Sequence, residues 1–299
     1  MADNEAKARQ KMAEGRKKLQ GGGGFFSKVF GGGGGSGEAA DLFIQGGNLF
    51  KMAKNWKEAG EAFLEAAEFY AKQGDSKHDC ATQYAEAANC FRKIQPEVER
   101  AVQCLEKTSE IYTDMGRFTM AAKNHVSIAE LYETELPDKE QCVKHYQQAA
   151  DYYKGEEQKS SASKCLVKVA MYSAELEKYG QAIAVFEEIA FYEADHSTLK
   201  YAAKGHFFQA LLCHLNIDPI NTQQALQKYE NASPSFSDSR ECKFVKELLA
   251  AIEEKNEETF TECVANFDKI SRLDNWSTSL LLKVKRTIEG GDDDEDDLR

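Results

Sequence analysis

The stretch Cys142-Val-Lys-His-Tyr146-Gln-Gln-Ala-Ala150-Asp-Tyr152 sets a small, a large, a small and an aromatic residue at Cys142, Tyr146, Ala150 and Tyr152. The same order stands ahead of it at Ala59, Phe63, Ala67, Phe69 and at Ala101, Leu105, Ser109, Ile111, and after it at Ala182, Phe186, Ala190, Tyr192, with offsets of 42, 41 and 40 residues. A second set interleaves at an offset of 41: Ala81, Tyr84, Ala88, Phe91; Ala122, His125, Ala129, Tyr132; Ser163, Leu166, Ala170, Ser173. Residues four apart share one face of an α-helix. Small residues on that face let a neighbouring helix approach closely, and the large one between them fills the groove. Two interleaved sets therefore predict two helices per repeat, each pair an antiparallel hairpin stacked on the next.

The period exceeds the 34 residues of a tetratricopeptide unit, so longer helices are expected. The predicted fold class is all-α: a right-handed solenoid of antiparallel helix hairpins, tetratricopeptide-like, with repeats of about 40 residues. Reversals are expected at Gly74-Asp75, Gly116-Arg117, Gly155-Glu156 and Tyr179-Gly180, where the pattern breaks. Past residue 196 the repeat fades, although helical segments continue at roughly 198–216, 220–231, 238–254, 257–270 and 276–288, interrupted at Pro219 and Pro234. The expected organisation is a basic helix and glycine-flanked apolar loop over 1–37, the solenoid over 38–195, a helical bundle over 196–290 that caps the last apolar face, and an acidic tail over 291–299.

Of 299 residues, 42% are hydrophobic, which is enough to fill a packed core and argues against wholesale disorder. The net charge is −12, which argues against a dedicated nucleic-acid binder, and half of it comes from the six acids Asp292 to Asp297. The body is only mildly acidic. No stretch approaches the ~20 apolar residues that span a bilayer, and the N-terminus is charged where a signal peptide needs an apolar segment, so the chain is expected in the cytosol. Eight cysteines stand singly with no Cys-x-x-Cys, as expected of reduced, buried thiols rather than a disulfide scaffold.

An enzyme of this length should show a nucleophile, a metal set or a phosphate loop. The glycine runs Gly21 to Gly24 and Gly31 to Gly35 lack the following Gly-Lys-Ser/Thr of a phosphate loop. Cys142 and His145 share a helix face yet have no second ligand pair, so core packing is the better reading. No cofactor, metal or catalytic residue is expected, and the chain is read as a non-enzyme.

Three features point instead to binding. Phe25, Phe26, Val29 and Phe30 cluster between the glycine runs, after Lys7, Arg9, Lys11, Arg16, Lys17 and Lys18. An aromatic group on a flexible glycine leash loses much entropy on joining a core, so insertion into a membrane is favoured over a staple onto the first hairpin. Lys123 and Lys164 are 41 residues apart, in one register of successive hairpins; Lys168 follows one turn on, and Arg117 and Lys93 extend the series. Such a basic strip would lie along an elongated acidic partner. Leu298 is a lone apolar residue at the end of the acidic run, where a disordered tail is the default and a small plug the alternative.

Several strings, Phe50-Lys-Met-Ala-Lys-Asn-Trp56, Ile111-Tyr-Thr-Asp-Met-Gly-Arg-Phe-Thr119, Asp151-Tyr-Tyr-Lys-Gly-Glu-Glu157, Phe236-Ser-Asp-Ser-Arg-Glu-Cys242, Ser271-Arg-Leu-Asp274 and the terminal Asp-Leu-Arg, resemble the soluble NSF attachment proteins of the alpha/beta type. The resemblance covers essentially the whole chain; the glycine runs and acidic tail are longer than in the family. It implies an adaptor that coats the SNARE complex, the four-helix rod of syntaxin, synaptobrevin and a SNAP-25-type chain. Several copies bind one rod and recruit the NSF hexamer, which pulls it apart after membrane fusion in vesicle transport. By resemblance, Lys93, Arg117, Lys123, Lys164 and Lys168 face the SNAREs, Phe25, Phe26 and their neighbours meet the membrane, Asp218, Glu253 and Glu254 face NSF, and Leu298 stimulates its ATPase. One neighbouring family acid is Ala250 here, which implies a weaker contact. The competing reading is a peptide-binding tetratricopeptide-like co-chaperone scaffold, against which the longer period speaks.

Overall fold

The computed structural model describes residues 2–21, 34–74 and 76–289. Among the described residues there are fifteen α-helices, one short 3-10 turn and no strand, so the fold is all-α. The chain divides into two compact units between Cys165 and Leu166.

The first unit runs through α1 (Ala2–Gly21), α2 (Gly34–Met52), α3 (Trp56–Gln73), α4 (Lys77–Phe91), the 3-10 turn Gln95–Glu97, α5 (Val98–Asp114), α6 (Phe118–Thr134), α7 (Lys139–Gly155) and the start of α8 (Lys159–Glu175). From α1 to α7 each helix packs on the next, the order a repeat solenoid requires. The repeat positions form the contacts: Ala59, Phe63, Ala67, Ala101, Leu105, Ser109, Cys142, Tyr146 and Ala150 are buried. Close approach reaches its limit at Gly60, where an added Cβ would lie 2.5 Å from the fully buried Phe91 ring. Helix α1 joins this stack through the buried Ala8 and Met12. Three of its cations are already satisfied within the chain, Lys7 by Asp3, Arg16 by Glu65 and Lys18 by Glu38.

The second unit contains the rest of α8, then α9 (Tyr179–Ala194), α10 (Ala203–Leu215), α11 (Pro219–Ala232), α12 (Pro234–Ser237), α13 (Arg240–Glu253), α14 (Glu257–Ile270) and α15 (Asn275–Glu289). Stacking gives way to a bundle here: α10 packs against α9, α11, α12, α13 and α15. The all-round apolar character of α10 explains this, because Phe207, Phe208, Leu211, Leu212 and Cys213 are buried on more than one face. Helix α15 is tied to α8 where Trp276 Nε1 donates to the Met171 carbonyl at 3.0 Å.

The prolines act as expected. Pro219 and Pro234 open α11 and α12, and the side chains of Asp218 and Ser233 cap them. The segment expected to be helical from 198 instead turns until Ala203, with backbone bonds from Leu199 to His196 and from Ala202 to Leu199. Leu199 and Tyr201 there are exposed, so no burial drives a regular helix. Of the expected reversals, Gly74 (φ +77) and Gly116 (φ +69) take the left-handed conformation; Gly155 ends α7 and Tyr179-Gly180 opens α9. The left-handed residues at those two turns are Glu157 (φ +57) and Glu177 (φ +60).

Candidate interaction surfaces

The basic residues are set by how each helix starts or stops. Lys93 sits in the turn that closes α4, where its N–H donates to Cys90 and that of Ile94 to Phe91. Its ammonium stands 3.7 Å from the centroid of the Trp56 ring. Arg117 is the N-cap residue of α6, and Lys123 follows on the same helix. Lys164 and Lys168 lie one turn apart on α8. Arg117, Lys123 and Lys164 are exposed and have no carboxylate within ion-pair distance among the described residues, whereas Lys168 is half-buried, 5.9 Å from the Tyr172 ring. Lys93, Arg117, Lys123 and Lys164 belong to the first unit and Lys168 to the second.

The acids Asp218, Glu253 and Glu254 all lie in the second unit. Asp218 accepts from the Ile220 N–H at 2.9 Å, so its carboxylate caps α11 as well as carrying charge. Glu253 and Glu254 are exposed at the end of α13. Pro219, Ile220, Leu249, Ile252 and Glu253 line one open groove. Ile217 and Ile220 are 50% and 68% exposed, so this surface is apolar as well as acidic. Sequence reasoning missed these isoleucines; the available signal was two apolar residues flanking the Asp218-Pro219 break. Phe25, Phe26, Val29, Phe30 and Leu298 lie outside the described residues.

The candidates weighed for chemistry are occupied with packing. Cys142 donates its thiol to the Ala129 carbonyl, while His145 Nδ1 faces His125 Nδ1 at 3.0 Å. Burial holds both histidines near pKa 4, with Lys144 adding to the effect and His125 acting also on His145. Burial likewise raises Cys104 and Cys213 to about 12 and Cys90, Cys165 and Cys242 to about 11, so these thiols stay protonated and weakly nucleophilic at neutral pH. None of the eight cysteines is in a disulfide. Among the described residues no three or more His, Cys, Asp or Glu side chains are grouped to hold a metal, and no helix is long and apolar enough to cross a membrane.

Exposed cations on packed helical hairpins, with an acidic and apolar corner on a helical bundle, define a helical-repeat protein with charged outer surfaces. The chain belongs to the soluble NSF attachment protein family, whose model matches residues 6–289. It is 50% identical to the Beta-soluble NSF attachment protein of Bos taurus, over 100% of this chain and 99% of that one. It is 52% identical to the Alpha-soluble NSF attachment protein of Homo sapiens, over 99% and 98%, and 54% identical to that of Mus musculus, over 88% and 87%. A fungal relative, 35% identical over 86% of this chain, is a probable vesicular-fusion protein of Neurospora crassa.

Proposed function

We propose that this chain is a non-enzymatic adaptor of NSF-linked vesicle transport: it binds assembled SNARE complexes, recruits the hexameric ATPase NSF and stimulates ATP hydrolysis that takes the complexes apart. Membership of a family named for NSF attachment supports the NSF link. The observation that carries the SNARE side is the exposure of Lys123 and Lys164, in equivalent register on α6 and α8 and, among the described residues, without neutralising carboxylates. Uncompensated charge in register suits an elongated acidic rod, with Lys93, Arg117 and Lys168 adding to the strip. Asp218, Glu253 and Glu254 face NSF, and Leu298 is the group that stimulates it.

In this reading the loop of Phe25, Phe26, Val29 and Phe30 holds the chain peripherally on the cytosolic face of the membrane that carries the SNAREs. Partial burial of a few apolar side chains, at ~1.5–3 kcal/mol for each one fully buried, is weak alone and effective when added to rod binding. The divisions 1–37, 38–195, 196–290 and 291–299 then correspond to membrane contact, rod recognition, NSF docking and NSF activation. Several copies share one rod.

The test is reconstituted SNARE disassembly with NSF and ATP, with and without this chain. Lys123→Glu combined with Lys164→Glu should abolish pull-down of assembled SNARE complex. Undiminished pull-down would refute the strip. Leu298→Ala should still bind SNAREs and NSF yet fail to raise ATP hydrolysis.

A further inference from the structure

We propose that Trp56 is a positioning residue for Lys93, holding its ammonium on a neutral aromatic face so that the charge is fixed in place and left uncancelled for the acidic rod. This rests on the reading of Lys93 as a rod-facing cation. Both partners are rigidly mounted. Trp56 opens α3, where the Asn55 side chain accepts from the Glu58 N–H at 3.3 Å, and the Asn55 N–H donates to the Phe50 carbonyl at 2.9 Å. Lys93 stands in a turn closed by bonds of 3.1 Å to Cys90 and, from the next residue, 2.9 Å to Phe91. The ammonium lies 3.7 Å from the ring centroid, well inside the range of a cation–π contact.

The neighbouring cations are treated differently. Lys57, beside Trp56, closes on Glu97 at 2.9 Å, and Arg100 closes on Glu61 at 2.7 Å and Glu97 at 3.0 Å. A carboxylate that orders a cation also neutralises it. An indole orders it through the ring quadrupole and leaves the full positive charge, with the ammonium's outer N–H groups open to a partner. A free lysine gives up rotamer freedom when it binds, and a lysine already seated on a ring gives up less.

A double-mutant cycle on the full-length chain tests this, using affinity for assembled SNARE complex as the readout and the melting temperature of each variant as a fold control. Trp56→Leu should weaken binding by about threefold to tenfold in the native background and have no further effect beside Lys93→Gln. Trp56→Phe, which keeps a ring face, should retain most of the affinity. Should Trp56→Leu melt below the assay temperature, Trp56→Phe with Lys93→Gln completes the same cycle at smaller amplitude. Equal losses from Trp56→Leu in both backgrounds, or full affinity of Lys93→Gln, would overturn the proposal. Full affinity of the Lys123→Glu, Lys164→Glu variant would overturn the underlying strip as well, so the two failures are distinguishable.

Discussion

At the large position of the second repeated set the chain carries Tyr84, then His125, then Leu166, and the histidine brings a titratable ring that calls for a polar partner. His145 on α7 supplies it, one ring donating to the other at 3.0 Å, with Tyr132 and Tyr152 alongside and Glu106, Glu110, Asp114 and Lys144 around the neighbouring pocket. Burial keeps both rings near pKa 4, below the ordinary value of 6.5. As pH falls below 6.5 the unfolded chain takes up protons that the folded chain refuses until about 4, so this stability is complete above 6.5 and is lost through that window. The slope is at most about 1.4 kcal/mol per pH unit for each histidine. Calorimetric melting between pH 7 and 4.5 should show a steeper loss for the native chain than for the His125→Asn, His145→Asn variant; parallel profiles would contradict it. The residue pattern marked His125 as core. Nothing in it pointed to His145 as its partner, because that pairing depends on how two neighbouring helices dock.

At the scale of the elements, one turn serves five times among the described residues. Lys54, Gly116, Glu157, Glu177 and Lys255 are left-handed, and the residue after each donates its N–H five positions back, from Asn55 to Phe50, Arg117 to Tyr112, Gln158 to Tyr153, Lys178 to Ser173 and Asn256 to Ala251. This is the six-to-one closure that ends a helix and turns the chain into the next. Four of the five positions carry a side chain where glycine is least strained, at about 1–2 kcal/mol each. Glu157→Gly and Lys255→Gly should therefore each raise stability by about 0.5–1 kcal/mol in urea titrations, the gain reduced by the greater freedom of glycine in the unfolded chain, while Gly116→Ala should lower it. A loss from both glycine variants would show that strain does not govern these turns. Glycine was the turn signal in the sequence, which is why Gly74 and Gly116 were found and Glu157 and Glu177 were not. Three of the strings that carry the family resemblance, 50–56, 111–119 and 151–157, contain such a turn.

For the molecule as a whole, the net charge of −12 conceals three separate charge patterns: an acidic terminal run, exposed cations in the first unit, and Asp218, Glu253 and Glu254 in the second. An adaptor has reason to keep such groups on different parts of one chain, since each weak contact raises the local concentration for the others. The loop of Phe25, Phe26, Val29 and Phe30, proposed to meet the membrane, is the part of that scheme most easily removed. Phe25→Ser with Phe26→Ser should slow NSF-driven disassembly on liposomes well beyond any slowing in detergent. Equal slowing in both would mark the loop as a structural staple.

The sequence by itself determined the helical class, the repeat of about 40 residues, the proline breaks and the identity of the exposed cations, because periodicity and local backbone chemistry act over a few residues. Only the tertiary structure decided that Lys93 rests on Trp56, that His125 meets His145, that Ile217 and Ile220 are exposed beside Asp218, and that α10 is the centre of a bundle. Those outcomes depend on which faces are brought together when helices pack, and a one-dimensional pattern does not carry that information.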